Sequence, residues 1–205
     1  MSATQALSTW FDSRQIYSGL ALDLQARWHF FTLEREGGSA VLEIFTEPRS
    51  ILSRTILLDA TGKESREEYS EKLPARGTGE FRSVATRREL LGCRDDVLET
   101  ATMGTRLYVA GTESFIGEVI ARAASFGVVP DSVIAERRGS FARRVQCVHC
   151  KHVTDDVPTS PYTCPNCGLS LLVRDHYSRR LAAFQGVRID AEAPGEVPAA
   201  EEFVQ

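Results

Sequence analysis

The chain has 205 residues, 42% of them hydrophobic and 25% charged, with a formal net charge of −4. That composition suits a globular protein with one substantial domain and a small second one. The acidic balance argues against a nucleic-acid binder. No run approaches the roughly 20 apolar residues of a membrane span, and Met1 to Trp10 lacks the basic start and apolar run of a secretory signal. The expected location is the cytoplasm, where paired cysteines more often hold a metal than form disulfides.

Residues 1–20 read as a loosely packed lead-in with scattered anchors such as Trp10 and Tyr17. The aromatic-rich stretch 27–34 predicts a strand. Glu36-Gly37-Gly38-Ser39 reads as a turn, and 40–46 as the partner strand of a hairpin that Pro48 stops. His29 lies in the first strand and reads as an ordinary packed residue. The apolar run 54–60 predicts a buried parallel strand. Residues 63–72 are strongly charged and read as a solvated face. Pro74, Gly77 and Gly79 break the chain, 81–85 suggests another strand, and 86–92 opens a helix. Cys93 reads as a small buried apolar residue.

The next stretch is a strand–helix–strand unit. Residues 107–110 form the first strand, and Gly111-Thr112 a tight turn. The helix runs from Glu113 to Phe126, with Phe115, Ile116, Val119, Ile120 and Ala123 at helical spacing. Gly127 caps it in the left-handed conformation, and 132–136 is the closing strand. Arg137, Arg138, Arg143 and Arg144 then form a basic linker, read either as solvated or as a contact surface for a partner or phosphate.

Two Cys-x-x-Cys pairs follow, Cys147/Cys150 and Cys164/Cys167, with thirteen residues between them. Each pair can grip one ion from a single turn, and two facing pairs complete a tetrahedral four-sulfur site. Four thiolates and one divalent ion sum to −2, which the nearby arginines, Lys151 and Arg174 would offset. His149, His152 and His176 are not needed as ligands. Zinc is the expected metal and iron the alternative, because C-P-x-C-G also occurs in rubredoxins. Lys151, standing where a rubredoxin has glycine, is expected to impair the approach of backbone N–H groups to sulfur. Residues 169–174 read as a return strand, and 175–184 as a short helix or hairpin arm. Residues 191–205, with four Glu and no Lys or Arg, read as a disordered acidic tail.

The fold expected is therefore α/β: an open, mostly parallel sheet with flanking helices, then a small zinc-ribbon or rubredoxin-like knuckle domain. The domains fall at 1–139, 140–190 and 191–205.

The unit L-Y-V-A-G-T-E-S-F-I, with V-I-A-E closing it, resembles the last strand–helix–strand of the nucleotide-binding domain of ferredoxin–NADP reductases. That resemblance implies NADP beside Ala110, Gly111 and Thr112, although the family's cysteine and proline are here Ala110 and Thr112. The family's glycine-rich turn would fall at Asp59-Ala60-Thr61-Gly62, which has one glycine, so the domain reads as degenerate. A reductase-like half followed by C-x-x-C…C-P-x-C-G resembles the small A-type subunit of bacterial dimethylamine monooxygenase. That resemblance implies a component of an NADPH-dependent complex oxidising dimethylamine to methylamine and formaldehyde. Its partners would be a flavin and iron–sulfur reductase subunit and an oxygenase subunit. This chain would carry no catalytic residue and act as an accessory subunit. The alternatives are a rubredoxin-like electron carrier and a zinc-ribbon protein-binding module.

Overall fold

The computed structural model describes residues 16–45, 54–60 and 79–204. The expectations for 1–15, for Pro48 and for 63–72 lie outside the described residues. The described residues divide into two compact units, one within 17–140 and one within 141–204. Among the described residues no helix is long and apolar enough to cross a membrane.

The first unit is built on a parallel sheet. Its strands are β1 (Trp28–Glu34), β2 (Thr55–Ala60), β3 (Glu80–Ser83), β4 (Thr105–Gly111) and β5 (Val133–Arg137), in the spatial order β3-β2-β1-β4-β5. Every neighbouring pair runs parallel. Parallel neighbours need crossovers, which α1 (Gly37–Ile44), α2 (Arg87–Thr100) and α3 (Glu113–Ser125) supply. The order reverses between β1 and β4, and such sheets bind ligands at that point, outside the carboxyl ends of the strands.

Alternation along the strands divides the core. Phe30, Leu58, Leu107 and Val109 face the layer of α2 and α3, against Leu90, Phe115 and Val119. Phe31, Leu33, Leu57 and Tyr108 face the layer of α1, against Val41 and Phe45. Phe30, Phe31 and Phe115 are fully buried, each contributing roughly 1.5–3 kcal/mol relative to an exposed ring.

One expectation is overturned: 40–46 is not a hairpin strand. Residues 37–44 form α1, burying Gly37, Gly38, Ala40 and Val41. The glycines do not make a hairpin turn. A Cβ on Gly37 would stand 2.1 Å from the Ala110 carbonyl oxygen, so this glycine lets helix and strand touch. The helix expected from 86–92 also runs further, to Thr100. It starts where the sequence says: the Thr86 side chain accepts from Glu89 N–H, and the Glu89 carboxylate accepts from Ala85 N–H. Helix α3 begins with the Thr112 side chain accepting from Phe115 N–H and ends at Gly127, φ +81°.

The second unit carries a mixed sheet of β6 (Arg143–Cys147), β7 (Val153–Val157), β9 (Tyr162–Thr163), β10 (Ser170–Ser178) and β11 (Ala183–Arg188), in the order β7-β6-β11-β10-β9. Only β6 and β11 pair in parallel. Residues 175–184, read as a short helix or hairpin arm, are the hairpin arm. Tyr177 opposes Phe184 across it, with ring centroids 5.0 Å apart. A short β8 (Thr159–Ser160) pairs with β12 (Glu201–Glu202). The acidic tail thus ends in a strand, where its composition had suggested no structure.

Candidate metal centre

Each cysteine pair occupies a knuckle, and the two knuckles repeat one backbone pattern. In the first, Cys147 N–H donates to His152 C=O and Lys151 N–H to Cys147 C=O, both at 2.9 Å. In the second, Cys164 N–H donates to Leu169 C=O and Gly168 N–H to Cys164 C=O, again both at 2.9 Å. Gly168 has φ +71° and Lys151 has φ +63°. Lysine therefore takes the left-handed conformation that glycine takes freely, and its ammonium bonds the Val148 carbonyl at 2.7 Å. The expectation that Lys151 would impair the knuckle does not hold: backbone N–H groups of His152 and Leu169 reach the Cys150 and Cys167 sulfurs alike.

The four thiol sulfurs all lie within 4.8 Å of one another. Cys147 Sγ is 3.8 Å from Cys167 Sγ, and Cys150 Sγ is 3.7 Å from Cys164 Sγ. An ion with metal–sulfur bonds of about 2.3 Å needs tetrahedral edges of about 3.8 Å, so the residues fit the group. All five cysteines of the chain are free of disulfides. Among the described residues no histidine or carboxylate joins the cluster, so a metal here would have a closed coordination sphere. Cys147, Cys164 and Leu171 are buried beneath it.

Charge in the cluster is unevenly held. Hydrogen bonds from Asn166 and from His152 N–H bring the Cys150 thiol down to about 6. Leu169 N–H also favours a thiolate at Cys167, but desolvation and the neighbouring thiols outweigh it and push that group up to about 12. Four sulfurs this close cannot all ionise without a cation, and a bound metal ionises them together. Three arginines of the basic linker are paired with carboxylates. Arg138 pairs with Glu43 and Glu136, Arg143 with Asp175, and Arg144 with Asp155.

In the first unit, Ala110, Gly111 and Thr112 sit at the carboxyl end of β4, at the sheet's reversal point. Facing them, after β1, are the Arg35-Glu36 turn and the first residues of α1, Gly37 and Gly38. The first strand of the parallel sheet is β1, so the residues that follow that strand are Arg35 to Gly38 and not Asp59-Ala60-Thr61-Gly62. Glu34, ending β1, is 4% exposed. Its carboxylate accepts from Arg87 Nε at 2.6 Å, from Arg87 Nη2 at 2.9 Å and from the Thr112 hydroxyl at 3.0 Å. Arg87 also reaches Glu118 at 3.2 Å. The Glu34 carboxylate thus sits against Thr112, the residue that caps the amino end of α3.

Glu34 and Arg87 were missed in the sequence. The available signal was a charge closing the apolar strand 28–34, which carries no hint of its partner. Among the described residues, two cavities lie at the opposite, amino end of the strands. One of about 260 Å³ is lined by Trp28, Phe30, Ile56 and Val97, and one of about 580 Å³ by Met103, Phe126 and Val129. Neither gathers a charged cluster.

Residues 9–133 match the N-terminal domain, and 144–187 the C-terminal domain, of a family described as dimethylamine monooxygenase subunit DmmA-like. A curated relative, the heme-dependent oxidative N-demethylase delta subunit of Ectopseudomonas mendocina (strain ymp), is 35% identical over 115 residues. The match spans 56% of this chain and 64% of the relative. A solved type IV self-sufficient cytochrome P450 monooxygenase is 12% identical with a TM-score of 0.44, covering 80% of this chain and 21% of that one. With both of its units matched in sequence, the chain belongs to the DmmA-like family of dimethylamine monooxygenase subunits.

Proposed function

We propose that the chain is a non-catalytic subunit of a cytoplasmic oxidative N-demethylase, and that Cys147, Cys150, Cys164 and Cys167 hold a structural zinc ion. The complex would convert dimethylamine, O₂, NADPH and a proton to methylamine, formaldehyde, NADP⁺ and water. The relative's name supports an N-demethylase with several subunits and a haem. We assign that haem, the flavin and iron–sulfur reductase and the oxygen chemistry to partner chains. The observation that carries the reading is the closed four-sulfur cluster, which leaves a metal no open position for substrate. Zinc there would tie β6 to the β9–β10 turn and make the second unit a rigid docking module.

The carboxylate of Glu34 at the reversal point argues against NADP on this subunit, beside Ala110, Gly111 and Thr112. Titration of the purified chain with NADPH tests this. No saturable binding is expected, and binding in the micromolar range would overturn it.

The equivalence of the two knuckles favours a second reading, a rubredoxin-like electron carrier with iron at the same sulfurs. Purification from the source organism tests the subunit reading. Recovery with reductase and oxygenase chains is expected, and consistent recovery alone would contradict it.

A further inference from the structure

The C-terminal segment occupies a slot in the second unit. Glu201 and Glu202 pair antiparallel with Ser160 and Thr159, and Phe203 N–H donates to the Pro158 carbonyl at 3.1 Å. The Phe203 ring lies 4.2 Å from the Arg143 guanidinium, whose other ring neighbour is Phe184 at 4.5 Å. Arg143 is 6% exposed and bonded to Asp175 at 2.7 Å. The guanidinium is thus fixed in place with an aromatic neighbour and a counter-ion, and Phe203 adds a second ring.

The hold on the tail is slight. β12 has two residues, both exposed, and among the described residues its partner β8 pairs with no other strand. Val204 beyond it is 74% exposed. The connecting residues 191–200 are exposed throughout and rich in alanine and proline. A strand held by so few bonds opens far more readily than the core, and its departure leaves β8 with a free edge able to accept another extended chain.

We propose that this slot is a docking site for an extended acidic–aromatic segment of another polypeptide, with the chain's own residues 201–204 as its resident occupant. The incoming backbone adds to β8, and its aromatic residue replaces Phe203 on Arg143. The acidic pair preceding the aromatic follows from the resident sequence Glu-Glu-Phe. This goes beyond the proposed function, because the slot does not depend on the chemistry of the complex or on which metal the thiols hold.

The test uses a fluorescent peptide with the sequence of residues 199–204 and the full chain carrying F203A. The variant is checked for retained metal and circular dichroism. If it loses either, E201P, which blocks the β12 pairing, takes its place. Anisotropy is expected to show saturable binding to the variant. Binding to the unaltered chain should be at least about tenfold weaker, because the tethered tail competes at an effective concentration of the order of millimolar. A peptide with alanine for the phenylalanine should not bind. Equal affinity for both chains or no saturable binding to the folded variant would each overturn the proposal.

Discussion

Glu34 and Arg87, 53 positions apart, meet through two hydrogen bonds of 2.6 and 2.9 Å at the carboxyl end of the central strands. The pair joins the end of β1 to the start of α2, and Thr112 and Glu118 draw α3 into the same network.

Removing the carboxylate leaves the Arg87 guanidinium, 18% exposed, with a weakened set of partners. Loss of one member of a buried pair costs about 3–5 kcal/mol, and partial solvent access here reduces that to about 2–3 kcal/mol. E34A should therefore lower the unfolding free energy of the first unit by that amount, measured by urea denaturation. E34Q should lose less, because an amide oxygen can still accept from Arg87.

Gly37 sets the distance between α1 and β4. A methyl group there would meet the Ala110 carbonyl oxygen at 2.1 Å and carbon at 2.5 Å, both backbone atoms that cannot swing away. G37A should cost about 3 kcal/mol or more by forcing helix and strand apart. A thermal shift assay checks this, and an unchanged midpoint would refute the contact.

His29 makes the first unit sensitive to acid. It is 1% exposed, stacked on Tyr108, with Nδ1 3.1 Å from the phenol oxygen. Burial lowers its pKa from 6.5, Arg54 adds to the effect and Asp23 opposes it. The unfolded chain therefore takes up the proton first. The stability is fully present above the unfolded value, about 6.5, and is lost as pH falls through the folded one. Denaturation midpoints at pH 7.5 and 5.5 should differ in the native chain, and H29F should narrow the difference.

The legible parts of this protein were those encoded locally. The spacing of four cysteines specifies two turns that face each other, and the pattern from Leu107 to Glu136 specifies its strand, helix and strand. The segment 40–46 was not legible, because a short apolar run after Gly-Gly suits a hairpin strand or a buried helix equally. The parallel pairing of β1 with β2 decides it, and that pairing depends on the whole sheet. The contact of Phe203 with Arg143 and of Glu34 with Arg87 were hidden for the same reason: each residue's composition suggests solvent, and its partner is dozens of positions away.

C164S should release the metal and loosen the second unit while sparing the first. Limited proteolysis should cut within 141–204 first, with residues 17–140 surviving as a protected fragment. Unchanged resistance of the C-terminal part would show that the cluster does not hold that unit together.

The metal content of the purified chain, read together with its visible absorption spectrum, tests the central claim most directly. A structural four-thiolate site predicts one zinc per chain and a colourless protein. One iron per chain with visible thiolate-to-iron absorption would contradict it and make this subunit an electron carrier.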